Sequence, residues 1–108
     1  IVDRKKDMIN RGGEKIWCYD VENEMEHMEG IQSAAVVGIP DEVYGESAAA
    51  VAELESGCHI TAEEIQRYLA QRMAKYKIPV RIKLVESIPL TLNGKVDKRR
   101  IKEMLMED

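Results

Sequence analysis

Apolar residues recur along the chain with two different periods, and the changes of period mark the elements. Met8 and Ile9 follow a charged stretch, Gly12-Gly13 interrupts it, and Ile16 and Trp17 resume the apolar character. That pattern predicts two short strands joined through glycines. Val21, Met25 and Met28 then recur at i, i+4 and i+7, one apolar helix face with Asp20 as the expected N-cap, running to about Glu29 and ended by Gly30. Ser33 to Ile39 and Ser47 to Leu54 read as strands connected through Pro40-Asp41 and Gly45. The continuous apolar run Ala34 to Val37 is expected of a strand covered on both faces. Small side chains at Ala48 to Ala52 would let a helix approach the sheet closely.

A second helix is signalled by Thr61 and Glu64 at capping-box spacing, with Ile65, Tyr68, Leu69 and Met73 as its buried stripe and Pro79 beyond it. Arg81 to Val85 alternates as a third strand of the sheet, with Ile82 and the neighbourhood of Val85 inward and Lys83 outward. Thr91-Leu92-Asn93-Gly94 is a turn. A last helix starts near Asp97, with Ile101, Met104 and Leu105 on one face. The order β-β-α-β-β-α-β-α describes an α+β domain: a small sheet with packed helices and an N-terminal hairpin.

Composition narrows the function classes. In 108 residues, 44% hydrophobic and 33% charged, one globular domain is expected. No apolar run approaches the ~20 residues of a membrane span, and the charged start is unlike a secretory signal, so a cytoplasmic location without a membrane span is expected. The net charge of −4 argues against a nucleic-acid partner, yet it conceals a division. Residues 1–19 carry a net +2, residues 20–64 a net −12 without Lys or Arg, and residues 65–108 a net +6. Either the two basic ends share a surface that faces an anion, or a small domain pairs its basic and acidic faces. Cys18 and Cys58 read as free thiols, and with His27 and His59 they lack the close ligand pairs of a zinc site, so no metal is expected.

Chemistry concentrates in two glycine-bearing turns. Lys95 follows the tight Asn93-Gly94 turn, which is expected to hold its ammonium out from the body, where it could meet a phosphate or a carboxylate. A Walker A loop is excluded, because Pro89 stands where that loop needs Gly and Val96 where it needs Ser or Thr. Gly12-Gly13 either lets the backbone pass close to a ligand or serves a plain hairpin. The run Lys98-Arg99-Arg100 reads as a solvated helix face.

Taken together, these segments resemble the adenylate-forming superfamily. Ile1-Val2-Asp3-Arg4-Lys5-Lys6-Asp7-Met8-Ile9 followed by Gly12-Gly13-Glu14-Lys15-Ile16 resembles its hinge-and-loop motif. Val36-Val37-Gly38-Ile39-Pro40-Asp41 with Gly45-Glu46 is similar to its central signature. Tyr76-Lys77-Ile78-Pro79 and Asn93-Gly94-Lys95-Val96-Asp97-Lys98 are similar to its closing motifs. The four run in the family's order across essentially the whole chain, as in the mobile C-terminal domain of an acyl-CoA synthetase, here residues 1–108 without the large N-terminal domain.

The resemblance implies a two-step ligase reaction in which the small domain rotates between steps. ATP and a carboxylic acid give an acyl-adenylate and pyrophosphate; coenzyme A then takes the acyl group and releases AMP. It makes Lys95 the adenylation lysine, Lys6 the hinge and Arg4 a nucleotide contact. Gly12 and Gly13 become the lining of the pantetheine tunnel, and Lys77 and Arg81 candidate partners of the coenzyme A phosphates. Mg2+ is expected with ATP but bound outside these residues, and the missing N-terminal domain is the expected partner. The family usually has Pro where Cys18 stands and Glu where Asp20 stands, before the acid matching Glu22. The alternatives are an adenylation domain that loads a carrier protein and a non-catalytic anion-binding module.

Overall fold

The computed structural model describes residues 7–107. Strands β1 (Met8–Arg11) and β2 (Glu14–Trp17) form an antiparallel hairpin. Helix α1 (Cys18–Glu26) follows, then β3 (Ile31–Asp41), β4 (Gly45–Leu54), α2 (Ala62–Ala70), β5 (Arg81–Val85) and α3 (Lys98–Met106). The main sheet has the order β3-β4-β5, antiparallel between β3 and β4 and parallel between β4 and β5. The α+β reading and the order of elements hold.

Period-2 alternation divides the core between the two faces of this sheet. Ala34, Val36, Ala48, Ala50, Ala52 and Ile82 pack with Ile9 and Ile16 of the hairpin, Val21 and Met25 of α1, and Ile65 and Leu69 of α2. Ala35, Val37, Ala49 and Val51 pack with Ile88, Ile101 and Leu105, so α3 covers the other face alone. Strand β4 is therefore buried on both sides. Its alanines leave room for a layer on each face.

Several local expectations are corrected. Helix α1 begins at Cys18, with extended Trp17 as N-cap and no side-chain cap. Cys18 N–H donates instead to the carbonyl of Asp7 at 3.1 Å. Asp20 sits inside the first turn, where its carboxylate favours the positive end of the helix dipole. The helix also stops at Glu26, with His27 as C-cap. Helix α2 keeps the expected capping box at Thr61 and Glu64 but ends at Ala70; Met73 reaches the core from the turn that follows. In β5, Ile82 and Val85 are three positions apart and face opposite layers.

Strand β3 is an edge, and α1 closes it. Glu26 Oε2 accepts from Ala34 N–H at 3.1 Å and Glu22 Oε2 from Val36 N–H at 2.8 Å. The i,i+4 spacing of the two glutamates matches every second residue of the strand. Pro40, on the same side by alternation, has no N–H to satisfy. An edge that would otherwise offer unpaired amides to another chain is thereby covered.

Candidate functional site

The Lys95 turn stands out from the body of the domain. Leu90 and Val96 bridge its base, Thr91 N–H donates to the Lys95 carbonyl at 2.7 Å, and Gly94 N–H to the Thr91 carbonyl at 2.9 Å. Gly94 has φ +82°, a conformation that a side chain would strain. Every residue from Leu90 to Lys95 is exposed. Helix α3 starts directly after the turn, and Asp97 caps it by accepting from Arg100 N–H at 3.1 Å. An exposed lysine thus stands on a turn whose backbone is hydrogen-bonded to itself and to a helix start.

The glycine turn closes the β1–β2 hairpin with two residues, Gly12 at φ +59° and Gly13 at φ +93°, as a tight hairpin with two left-handed positions requires. The two glycines differ. A Cβ on Gly12 would lie 3.1 Å from Tyr44 Cδ1, whereas nothing lies within 4 Å of one on Gly13. Gly12 N–H donates to the Tyr44 carbonyl at 2.8 Å, Asn10 N–H to Glu46 Oε1 at 2.9 Å, and Arg11 stacks 3.8 Å from the Tyr44 ring centroid. The tip of the hairpin is therefore fastened to the β3–β4 turn.

That turn gives a physical role to the segment from Pro40 to Glu46. Asp41 Oδ2 accepts from the Ser47 hydroxyl at 2.6 Å, and Oδ1 accepts from Val43 and Tyr44 N–H at 2.8 and 2.9 Å. These donors, the Ser47 hydroxyl foremost, hold the Asp41 carboxyl below its ordinary 3.8. A depressed folded-state pKa contributes stability that is present above the unfolded value and lost as pH falls through the folded one. Asp41 should accordingly titrate with a midpoint below 3.8 in a carboxyl NMR titration, and Asp41→Asn should flatten the acid side of the stability curve. An unshifted midpoint would mean that the three donors do not hold the turn in solution.

Lys77 and Arg81 do not form one patch. Lys77 follows α2 and lines a shallow depression with Asp20, Asn23 and Glu24 of α1. Arg81 Nη1 donates to the carbonyls of Leu105 and Glu107 at 2.6 and 3.2 Å, a cation closing the C-terminal end of α3. Arg4 and Lys6 lie outside the described residues.

A polar cluster that the sequence reading missed lies where α1, β3 and α3 meet. Lys98 Nζ donates to Glu22 Oε2 and to the Val36 carbonyl, each at 2.6 Å, and lies 3.6 Å from Asp7 Oδ2. Glu22 is fully buried. Lys98 is thus no part of a solvated face. It joins the basic third of the chain to the acidic middle, as the pairing of faces requires. The signal was present in the lone charge of Glu22 on the apolar side of α1, beside Val21 and Met25. Cys18 lies nearby, and burial pushes its thiol up to about 12, which keeps it protonated rather than nucleophilic. Cys18 and Cys58 are unbridged. Among the described residues no group of three or more His, Cys, Asp or Glu is placed to hold a metal ion.

The residues that flank the two turns thus belong to two layers: Ile9 and Ile16 of the glycine hairpin pack with α1 and α2 on one face of the sheet, and Ile88 and Val96 beside the Lys95 turn pack with α3 on the other. Known proteins are similar to this chain in sequence and fold. The chain is 38% identical over 102 residues to a feruloyl-CoA synthase of an Amycolatopsis species, covering 94% of this chain and 21% of that protein. It is 42% identical over 105 residues to a mitochondrial medium-chain acyl-CoA ligase of Mus musculus, covering 97% and 17%. Apo MatB from Rhodopseudomonas palustris superposes with a TM-score of 0.86 at 30% identity, over 92% of this chain and 20% of that one. The chain spans about a fifth of the length of these relatives. Residues 20–95 match the family described as the AMP-binding enzyme C-terminal domain. With the fold and the relatives in agreement, the chain belongs to that family, the C-terminal domain of adenylate-forming enzymes.

Proposed function

We propose that these residues serve as the mobile lid of an ATP-dependent acid–CoA ligase, presenting its two layers to the active site in turn. What supports the reading is that the residues flanking the two turns pack on opposite faces of the sheet, Ile9 and Ile16 on one and Ile88 and Val96 on the other. In the first step Lys95 places its ammonium on the carboxylate and phosphate oxygens, where charge shifts as the carboxylate attacks ATP. Rotation at Lys6 then brings up the hairpin. Gly13, with open space where a side chain would be, leaves a path for the thiol of coenzyme A. Arg4 faces the nucleotide and Lys77 the coenzyme A phosphates. Arg81, engaged at the end of α3, holds the domain together in this reading. Mg2+ accompanies ATP on the partner domain.

This sequence contains no phosphate-cradling glycine loop. The purified 108-residue chain is therefore expected to fold, with a cooperative unfolding transition, and to show no carboxylate-dependent ATP–pyrophosphate exchange. Exchange activity in the isolated chain would overturn the lid reading.

A further inference from the structure

We infer that Lys98 is a positioning residue for adenylation, acting through Lys95 by clamping the start of α3 to the edge of β3. This rests on the reading of Lys95 as the adenylation lysine. The atoms fit the role closely. A residue in an edge strand points its N–H and C=O to the same side, and at Val36 both are taken by one ion pair: Glu22 Oε2 accepts the N–H at 2.8 Å and Lys98 Nζ donates to the carbonyl at 2.6 Å. The pair substitutes for a missing neighbouring strand. It closes on itself, because the same ammonium meets the same carboxylate oxygen at 2.6 Å.

What the clamp holds is the base of the Lys95 turn. Lys98 is the first residue of α3 and lies three positions after Lys95. Between them, Asp97 N–H donates to the Pro89 carbonyl at 2.9 Å and Val96 pairs with Leu90. One end of the turn is thus fixed to β3 by the ion pair, and the other is stitched to it across the base. Lys98 also lies 3.6 Å from Asp7, the residue after Lys6, and Cys18 N–H bonds the Asp7 carbonyl at 3.1 Å. The Asp7 carboxylate and the base of the Lys95 turn are therefore both referred to the Lys98 ammonium. A charge that must meet a transition state needs such a fixed origin, since small displacements far from the chemistry cost large factors in rate.

The test uses the complete ligase and four variants. Glu22→Gln/Lys98→Met removes the tether without stranding a buried charge, and the glutamine keeps an acceptor for Val36 N–H. It should lower adenylation about tenfold or more while leaving acyl transfer from preformed adenylate to coenzyme A unchanged. In a Lys95→Ala background the same double change should cause no further loss of adenylation, because it acts through a side chain already gone. Should the double variant fail to fold, Lys98→Arg keeps the charge but moves the donors, and its smaller loss should again be confined to adenylation. Equal loss in both steps, no loss, or a loss that multiplies with that of Lys95→Ala would overturn the positioning role. If Lys95→Ala itself impairs both steps alike, the reading of Lys95 falls, and the positioning role falls with it. If Lys95→Ala is selective and the Lys98 variants are not, the clamp is purely structural.

Discussion

Lys95→Ala in the complete ligase should lower acyl-adenylate formation by about 10²-fold or more, the usual effect of losing a contact made to developing charge. The expectation rests on where the side chain stands. It is exposed on a turn held by its own backbone hydrogen bonds and belongs to neither apolar cluster, so an unfolding transition like the parent's should accompany the loss. Carboxylate-dependent ATP–pyrophosphate exchange measures the step directly. Exchange within about twofold of the parent enzyme, well short of that loss, would remove Lys95 from the chemistry.

Glu22→Ala should be the most damaging change to stability. It leaves the Lys98 ammonium, itself 25% exposed, without its closest carboxylate, and it strips the acceptor from Val36 N–H. Breaking a buried pair from one side costs about 3–5 kcal/mol; the partial exposure of Lys98 and the nearby Asp7 place this case near about 3. A domain with about 5–15 kcal/mol in hand would lose a large share of it. The pair between Arg100 and Glu103 has both side chains more than half exposed, and Glu103→Ala should cost less than about 1 kcal/mol. Urea denaturation of the three proteins measures the contrast. Similar midpoints for Glu22→Ala and the parent would show that the cluster contributes little.

Features encoded by neighbouring residues were legible in the sequence. Thr61 and Glu64 announce their cap because both partners lie within one turn, and Asp97 starts α3 for the same reason. The alanines of β4 read as strand because turn signals bound them closely. Asn93-Gly94 and Gly12-Gly13 exposed both candidate sites, since left-handed backbone selects glycine. What escaped was set by tertiary partners. Cys18, rather than Asp20, begins α1 because the Asp7 carbonyl accepts its N–H. Lys98 looked like one charge of a solvated run, and its partner Glu22 is 76 residues distant in sequence. Arg81 looked available for an anion until the end of α3 was seen to occupy it. Tyr44 carried no sign that it would fasten the glycine hairpin, because that contact exists only once β1 lies beside the β3–β4 turn.

If the two layers serve different steps, the ratio of the two half-reactions must shift in Gly13→Leu. Gly13 has φ +93°, so any side chain there carries backbone strain of about 1–2 kcal/mol, and Gly13→Ala controls for that strain alone. In the complete ligase, rapid-quench measurement of acyl-adenylate formation, and of acyl transfer from preformed adenylate to coenzyme A, gives the ratio. Gly13→Leu should slow transfer far more than adenylation and far more than Gly13→Ala does. Equal slowing of both steps, or unaltered transfer, would contradict that division between the layers.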